Sequence, residues 1–313
     1  MKILILPGDD IGPEIMAPTK KALVALNKKF DLGFEFEEKS IGIDALKAEG
    51  TTLPDHVLKS AQAADGIILG PIGTFKYPPK EQGGINISAV LRMAMDLYAN
   101  IRPAKTRPGV ESMAKEMDLV VVRENTEGEY SSVGGRMFEG TDREIVTQTS
   151  VFTRKGVDRI MRYAFELAQK REKKHVTSAT KSNGIAITMP YWDERFKIIS
   201  DEHPNIASDQ YHIDGLTIQL ILNPQRFDVI VASNLFGDII SDIGPATAGT
   251  IGIAPSANIN PERKFPSLFE PVHGSAPDIY GKNISNPIAQ IWSGAMMLDH
   301  LGEHLAAKAI TDS

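Results

Sequence analysis

The stretch Ser233-Asn234-Leu235-Phe236-Gly237-Asp238-Ile239-Ile240-Ser241-Asp242 decides how the chain is read. It follows Val229 to Ala232, an apolar run with the β-branched residues of a buried strand, and leads into Ile243-Gly244-Pro245, where the chain is expected to turn or start again. If residues from Phe236 or Gly237 onward are helical, Asp238 and Asp242 stand four apart on one face. Like charges so placed repel by roughly 0.2–0.5 kcal/mol even on an exposed helix, so something should offset them. A hard divalent cation, Mg²⁺ or Mn²⁺, takes carboxylate oxygens at close range and meets that need. An acidic first turn favoured by the helix dipole is the competing explanation, and the pair alone does not choose between them.

Outward from this stretch, the same grammar recurs: an apolar strand opening into a polar or glycine-bearing loop. Lys2 to Leu6 ends in Pro7-Gly8-Asp9-Asp10, followed by a helical pattern to which Pro13 is suited as an early residue. Gly8 and Gly12 are too widely spaced for a GxGxxG phosphate loop, so a Rossmann dinucleotide fingerprint is excluded here. Asp65 to Leu69 closes on Gly70-Pro71-Ile72-Gly73, and Leu119 to Val122 opens into Arg123-Glu124-Asn125-Thr126-Glu127-Gly128-Glu129-Tyr130. Functional groups of α/β proteins collect at such strand ends. Helices are expected over Leu53 to Ala64, Asn86 to Tyr98, Thr153 to Arg171 with Thr153 as cap, Thr188 to Phe196, and finally Ala289 to Leu301. Ser131 to Phe152 reads as two antiparallel strands able to project or to pair with another subunit, Leu216 to Leu222 suits strand or helix, and Gly249 to Ser256 and Asn258 to Pro266 read as turns.

Composition narrows the class. The chain has 313 residues with 34 Lys and Arg against 40 Asp and Glu, a formal net charge of -6, which argues against a non-specific nucleic-acid binder. With no cysteine, disulfides, thiolate catalysis and thiolate metal sites are excluded, and a reducing compartment fits. Met1 to Leu6 stops at Pro7 without a signal-peptide pattern, and no run reaches the roughly 18 apolar residues of a membrane span, so a cytoplasmic protein without a membrane partner is expected.

Three motifs carry a resemblance: Arg123 to Tyr130, Asn234 to Asp242, and His273-Gly274-Ser275-Ala276-Pro277-Asp278. Together they resemble the β-decarboxylating dehydrogenases, the isocitrate/isopropylmalate dehydrogenase family, over nearly the whole chain, and the text of Arg123 to Gly140, Thr177 to Arg195 and Ser233 to Asp299 is most similar to its tartrate/D-malate branch. The resemblance implies an α/β fold of the isopropylmalate dehydrogenase type, with a large mixed twisted sheet unlike the Rossmann fold. It places a cofactor-side domain at 1–99 and 242–313, and a central substrate and dimerisation domain with a projecting β arm at 100–241. It further implies an oxidoreductase using NAD, Mg²⁺ or Mn²⁺ and K⁺, working as a homodimer with shared active sites. Chains of the family ordinarily run beyond the helix near Gly302, so a shortened C-terminus is expected.

Residue by residue, the resemblance makes Tyr130 and the neighbour's Lys181 the acid/base pair, Arg92, Arg102 and Arg123 the substrate-binding arginines, and Asp238, Asp242 and the neighbour's Asp214 the metal ligands. His273 to Asp278 and Asn286 match the cofactor loop, and Asn86 and Ser88 stand near the substrate's variable arm. The chemistry fits independently. Planar arginine forks suit a dicarboxylate, an oxygen-ligated ion polarises a hydroxyl and then a carbonyl, and a lysine serves as base only where burial or a nearby cation brings it down from roughly 10. Asp278 beside an adenosine ribose favours NAD over NADP, whose 2'-phosphate it would repel. The expected substrate is D-malate or tartrate, with isocitrate and 3-isopropylmalate as alternatives and a non-catalytic ligand-binding regulatory protein as the reading from another class. Singly, each residue also has a structural explanation, such as a helix-surface cation for Arg92 or a turn former for Asn286. Asp10 departs from the family's Gly-Asp-Gly-Ile-Gly-Pro-Glu, and Gly83 to Ala89 departs from the tartrate/D-malate pattern.

Overall fold

A computed structural model describes residues 1–313 as two compact units, Met1–Leu97 with Thr250–Ser313, and Tyr98–Gly249. The first unit begins with β1 (Lys2–Leu6), α1 (Gly12–Phe30), β2 (Glu35–Glu38), α2 (Gly42–Glu49), α3 (Asp55–Ala63), β3 (Gly66–Leu69) and α4 (Ile87–Ala94). The second contains β4 (Ala99–Lys105), β5 (Asp118–Glu124), β6 (Gly128–Met137), β7 (Ile145–Val151), α5 (Arg154–Gln169), β8 (His175–Thr180), α6 (Thr188–Asp201), β9 (Ala207–His212), α7 (Ile213–Leu222), β10 (Val229–Ala232) and α8 (Asn234–Thr247). The chain then returns to the first unit with β11 (Pro255–Ile259), β12 (Ser267–Pro271), α9 (Ile288–Leu301) and α10 (His304–Thr311).

In the first unit the strands run β2-β1-β3-β12-β11, parallel except for the β11/β12 pair. Leu4, Leu6, Ile67, Leu69 and Leu268 from the sheet pack with Val57, Ile87, Leu91 and Met95 from α3 and the α4 region. In the second the order is β4-β5-β10-β8-β9, with only β4/β5 antiparallel. Strands β5 and β10 are buried on both faces, which is why they read as continuous aliphatic runs rather than alternating ones. Val157, Ile160, Met161, Ala164, Phe165 and Ala168 of α5 are fully buried, and Thr153 Oγ1 accepts from Gly156 N at 3.0 Å to cap the helix as expected. Trp192 of α6 is buried and donates to Ser178 Oγ at 2.9 Å. Strands β6 and β7 pair as an antiparallel ribbon from Val133↔Thr149 to Met137↔Ile145, with Val133, Met137, Ile145 and Val146 exposed.

Four expectations are corrected. Helix α4 stops at Ala94 rather than reaching Tyr98, because Asp96 takes a left-handed φ of 45°. Leu97 N then bonds Arg92 O at 2.9 Å and Asp96 N bonds Met93 O at 3.3 Å, closing a Schellman end in which aspartate occupies the usual glycine position. Helix α8 does not turn at Ile243-Gly244-Pro245 but runs through to Thr247, since Pro245 removes only one donor near the helix end. Part of the region read as turns is β11, a wholly buried strand. Its Asn258 donates to Glu270 Oε1 at 2.7 Å and its Ser256 Oγ to Glu270 O at 2.8 Å, so polar residues that suggest a loop are satisfied by tertiary partners. Finally, α9 is not the last helix, because α10 follows it.

Candidate active site

Strand register brings the arginines of the second unit together. Asn100 lies opposite Arg123 and Arg102 opposite Val121 in the β4/β5 ladder, so Asn100, Arg102, Val121 and Arg123 share one face. Helix α8 crosses that face closely. A Cβ on Gly237 would stand 2.6 Å from Arg123 Cβ and Cγ, so only glycine admits the helix here. The N-terminus of α8 has no cap from its own Ser233 side chain. Glu129 of β6 supplies the acceptors instead, taking bonds from Ser233 Oγ at 2.7 Å and Leu235 N at 3.1 Å.

Asp238 and Asp242 therefore do not form an acidic first turn: they lie further along α8, on the side facing the arginines. Arg102 Nη1 is 3.6 Å from Asp238 Oδ1 and 3.7 Å from Asp242 Oδ1. Arg123 Nη1 bonds Asp238 Oδ1, and the Tyr130 hydroxyl donates to Asp238 Oδ2 at 3.0 Å. Burial, then the charge of Asp238, push the Tyr130 hydroxyl above its ordinary value, so it keeps its proton at neutral pH. Burial and the neighbouring Asp238 likewise raise Asp242, against the pull of Arg102 and Arg123.

Residues that the sequence did not single out hold these groups. Arg123 Nε and Nη2 both donate to Asn234 Oδ1, at 3.1 and 2.7 Å, while Asn234 Nδ2 donates to Glu127 O at 3.0 Å. Arg102 donates to Asn100 Oδ1 at 3.1 Å and to Ser241 Oγ at 2.8 Å. Glu124 accepts from Thr126 N at 3.0 Å, Thr126 Oγ1 at 2.8 Å and Glu127 N at 2.8 Å, shaping the turn that delivers Tyr130. The only advance signal was membership of the polar motifs around Arg123 and Asp238, and for Asn100 its place two residues before Arg102.

Burial pushes Glu124 up to about 7, against the hydrogen bonds that favour its charged form. A carboxyl raised by folding binds more protons in the native state than in the unfolded chain between the two pKa values. Its contribution to stability is thus full below about 4.5 and is lost as pH rises toward about 7. Urea denaturation should show this downward component over that window, and Glu124→Gln should flatten it; an unchanged pH profile in the variant would count against the assignment.

The remaining candidates have other partners. Lys181, just beyond β8, donates to Asp214 Oδ2 at 2.8 Å, and this bond is the first cause holding Asp214 below the usual carboxylate range. Its neighbour in the single chain is thus a carboxylate rather than a second cation. No three Asp, Glu or His side chains of one chain converge as a metal site. In the first unit, Arg92 Nη2 donates to Glu270 Oε1 at 2.8 Å, and Asn86 Oδ1 caps α4 by accepting from Ala89 N at 3.1 Å, while Ser88 is half-buried in that helix's first turn. In the cofactor-loop motif Gly274, Pro277, Asp278 and Asn286 are exposed, His273 and Ala276 half-buried and Ser275 buried. Burial lowers the His273 imidazole, whose Nδ1 lies 3.0 Å from Gly274 O. Ala276 has a positive φ of 41°, and Asn286 Oδ1 accepts from Ile288 N at 3.0 Å. Glu14 of α1, also unforeseen, accepts from Gly281 N at 2.7 Å and Ser285 Oγ at 3.2 Å, tying down the loop between these residues.

Residues 2–313 match the family model described as isocitrate/isopropylmalate dehydrogenase. The chain belongs to this family. The chain is an enzyme of this family, catalysing NAD-linked oxidative decarboxylation of a 2-hydroxy dicarboxylate. It is 54% identical over 312 residues to a tartrate dehydrogenase/decarboxylase of Pseudomonas putida and 53% identical over 311 residues to a D-malate dehydrogenase (decarboxylating) of Escherichia coli K12. Each match covers 96% of this chain and 85% of the relative. The crystal structure of isocitrate dehydrogenase from Methylococcus capsulatus superposes with a TM-score of 0.89 at 39% identity, covering 98% of this chain and 87% of that one. The isopropylmalate dehydrogenase-like α/β fold, with its large mixed sheet and no Rossmann topology, is thereby established. No helix is long and apolar enough to cross a membrane.

Proposed function

We infer that the chain oxidises and decarboxylates D-malate or tartrate with NAD, as a cytoplasmic homodimer whose active sites are shared. One observation carries the reading: the Tyr130 hydroxyl, the Asp238 carboxylate, and the Arg102 and Arg123 guanidinium groups meet at one place, each held by its own hydrogen bonds. Arg102 and Arg123 offer planar forks to the substrate carboxylates, with Arg92 a third cation for the same purpose. Lys181 of the partner subunit takes the proton of the substrate hydroxyl, and after carbon dioxide leaves, Tyr130 returns a proton to the carbon that carried it. NAD accepts the hydride.

The donor set suits a hard cation: two carboxylates one helical turn apart, with the Asp242 side chain 65% exposed. With Asp214 of the partner subunit they would hold Mg²⁺ or Mn²⁺, which when bound polarises the substrate oxygen and stabilises the enolate. K⁺ is assigned as an auxiliary ion. Asp278, exposed in the cofactor loop, is free to accept from ribose hydroxyls and disfavours a 2'-phosphate, which supports NAD over NADP. Isocitrate is the second substrate reading, favoured by the polar Asn86 and Ser88 at the start of α4.

The test is NADH formation by the purified protein with D-malate, L- and meso-tartrate, isocitrate and 3-isopropylmalate, in Mn²⁺ and K⁺, with NAD or NADP. D-malate or tartrate with NAD should give the highest kcat/KM. A chelator should abolish turnover and added Mn²⁺ should restore it. Turnover persisting in the chelator would remove the metal, and equal kcat/KM with NADP would remove the role of Asp278.

A further inference from the structure

Asp10, the residue of the first loop that departs from the family's sequence, has no part in the chemistry above. Its φ of 51° is a left-handed conformation that glycine adopts freely and aspartate tolerates. Its side chain is only 7% exposed. Oδ1 bonds the Lys76 ammonium, whereas Oδ2 is buried without a hydrogen-bond partner. Ser275, from a distant part of the chain and 3% exposed, likewise buries an unpartnered Oγ, and its carbonyl is fixed by Ile11 N at 3.2 Å. The two atoms border one place. A Cβ on Gly73 would lie 3.2 Å from Asp10 Oδ2 and 3.4 Å from Ser275 Oγ. Gly73 is itself held by its N–H bond to Asp9 Oδ2 at 2.9 Å, so the side lacking a Cβ keeps its direction.

We propose that Asp10 and Ser275 form a subsite beside Gly73 for a hydrogen-bond-donating group of the dinucleotide, a sugar hydroxyl or the carboxamide. The charge selects the class. An ionised carboxylate only accepts, so its partner must carry a hydrogen, and a phosphate would meet repulsion there while Lys76 is engaged by Oδ1. A serine hydroxyl both donates and accepts, and therefore serves either group. Two buried polar atoms without partners, contributed by separate segments, are accounted for together by one bound donor. The proposal rests on the NAD reading and assigns to this chain a cofactor contact that glycine at position 10 could not make.

The test is equilibrium binding without hydroxy acid, by calorimetry on the purified protein, with NAD, nicotinamide mononucleotide and ADP as probes. In Asp10→Asn the amide oxygen stays toward Lys76 and the NH₂ replaces the acceptor. That variant and Ser275→Ala should each weaken NAD about tenfold, the scale of one lost hydrogen bond to a charged or buried group. Asp10→Gly, which suits the backbone, should match Asp10→Asn. The loss should appear with one of the two half-molecules and not the other, which identifies the group bound. Unchanged or tighter NAD binding in both Asp10 variants overturns the subsite, as does equal weakening toward both halves, the sign of a collapsed loop. Failure of the unaltered chain to bind NAD overturns the cofactor reading and the subsite with it, a result distinct from variants that bind as the unaltered chain does.

Discussion

Replacing Asp238 by Asn is expected to lower kcat/KM about a thousandfold, the scale of losing a preorganised charge at the reacting centre. The carboxylate is the point on which three groups converge. Arg123, 3% exposed at its side chain, bonds Oδ1, Arg102 lies 3.6 Å from the same oxygen, and Tyr130 donates to Oδ2. Asparagine keeps the shape and removes the charge. The guanidinium of Arg123 would retain Asn234 but lose its anion, and stability should fall by about 1–3 kcal/mol. The same substitution would remove one of the two carboxylates that α8 would offer to a divalent ion. Steady-state kinetics and chemical denaturation on the variant measure both losses. Activity within tenfold of the unaltered protein would show that Asp238 is only a structural counter-ion for the arginines.

Tyr130→Phe should separate chemistry from stability. The ring is 50% exposed, so deleting its hydroxyl disturbs little packing, and the melting temperature should barely change. A lost general acid costs about 10²- to 10⁴-fold, borne by kcat rather than KM. Because protonation follows hydride transfer and decarboxylation, the variant should release a burst of NADH equal to the enzyme present and then proceed slowly. The raised Tyr130 pKa means that the unaltered enzyme loses no activity through this group over about pH 7 to 9. Full steady-state formation of the final product by the variant would end the acid assignment.

Most of the fold was legible because strands buried on both faces appear as uninterrupted aliphatic runs, and because α5 repeats its apolar residues at helical spacing beneath a threonine cap. The errors fell where a residue takes a conformation or a partner that its type does not announce. Asp96 ends α4 with a conformation expected of glycine, and β11 buries serine and asparagine that Glu270 satisfies. Among site residues, the motifs brought out Arg123, Tyr130, Asp238 and Asp242, but not Asn100, Asn234, Ser241 or Glu129, which hold them.

The order of residues by itself determined that Asp238 and Asp242 would share a helix face, since a spacing of four has that consequence in any α-helix. It left open which charges the pair would meet. Only the tertiary structure decided that, by laying α8 through Gly237 against Arg123 and bringing Arg102 from a separate strand to both carboxylates. Periodicity along the chain specifies the direction of a side chain relative to its own element. The charges that it meets come from segments more than 100 residues away in sequence, and packing alone brings them within reach.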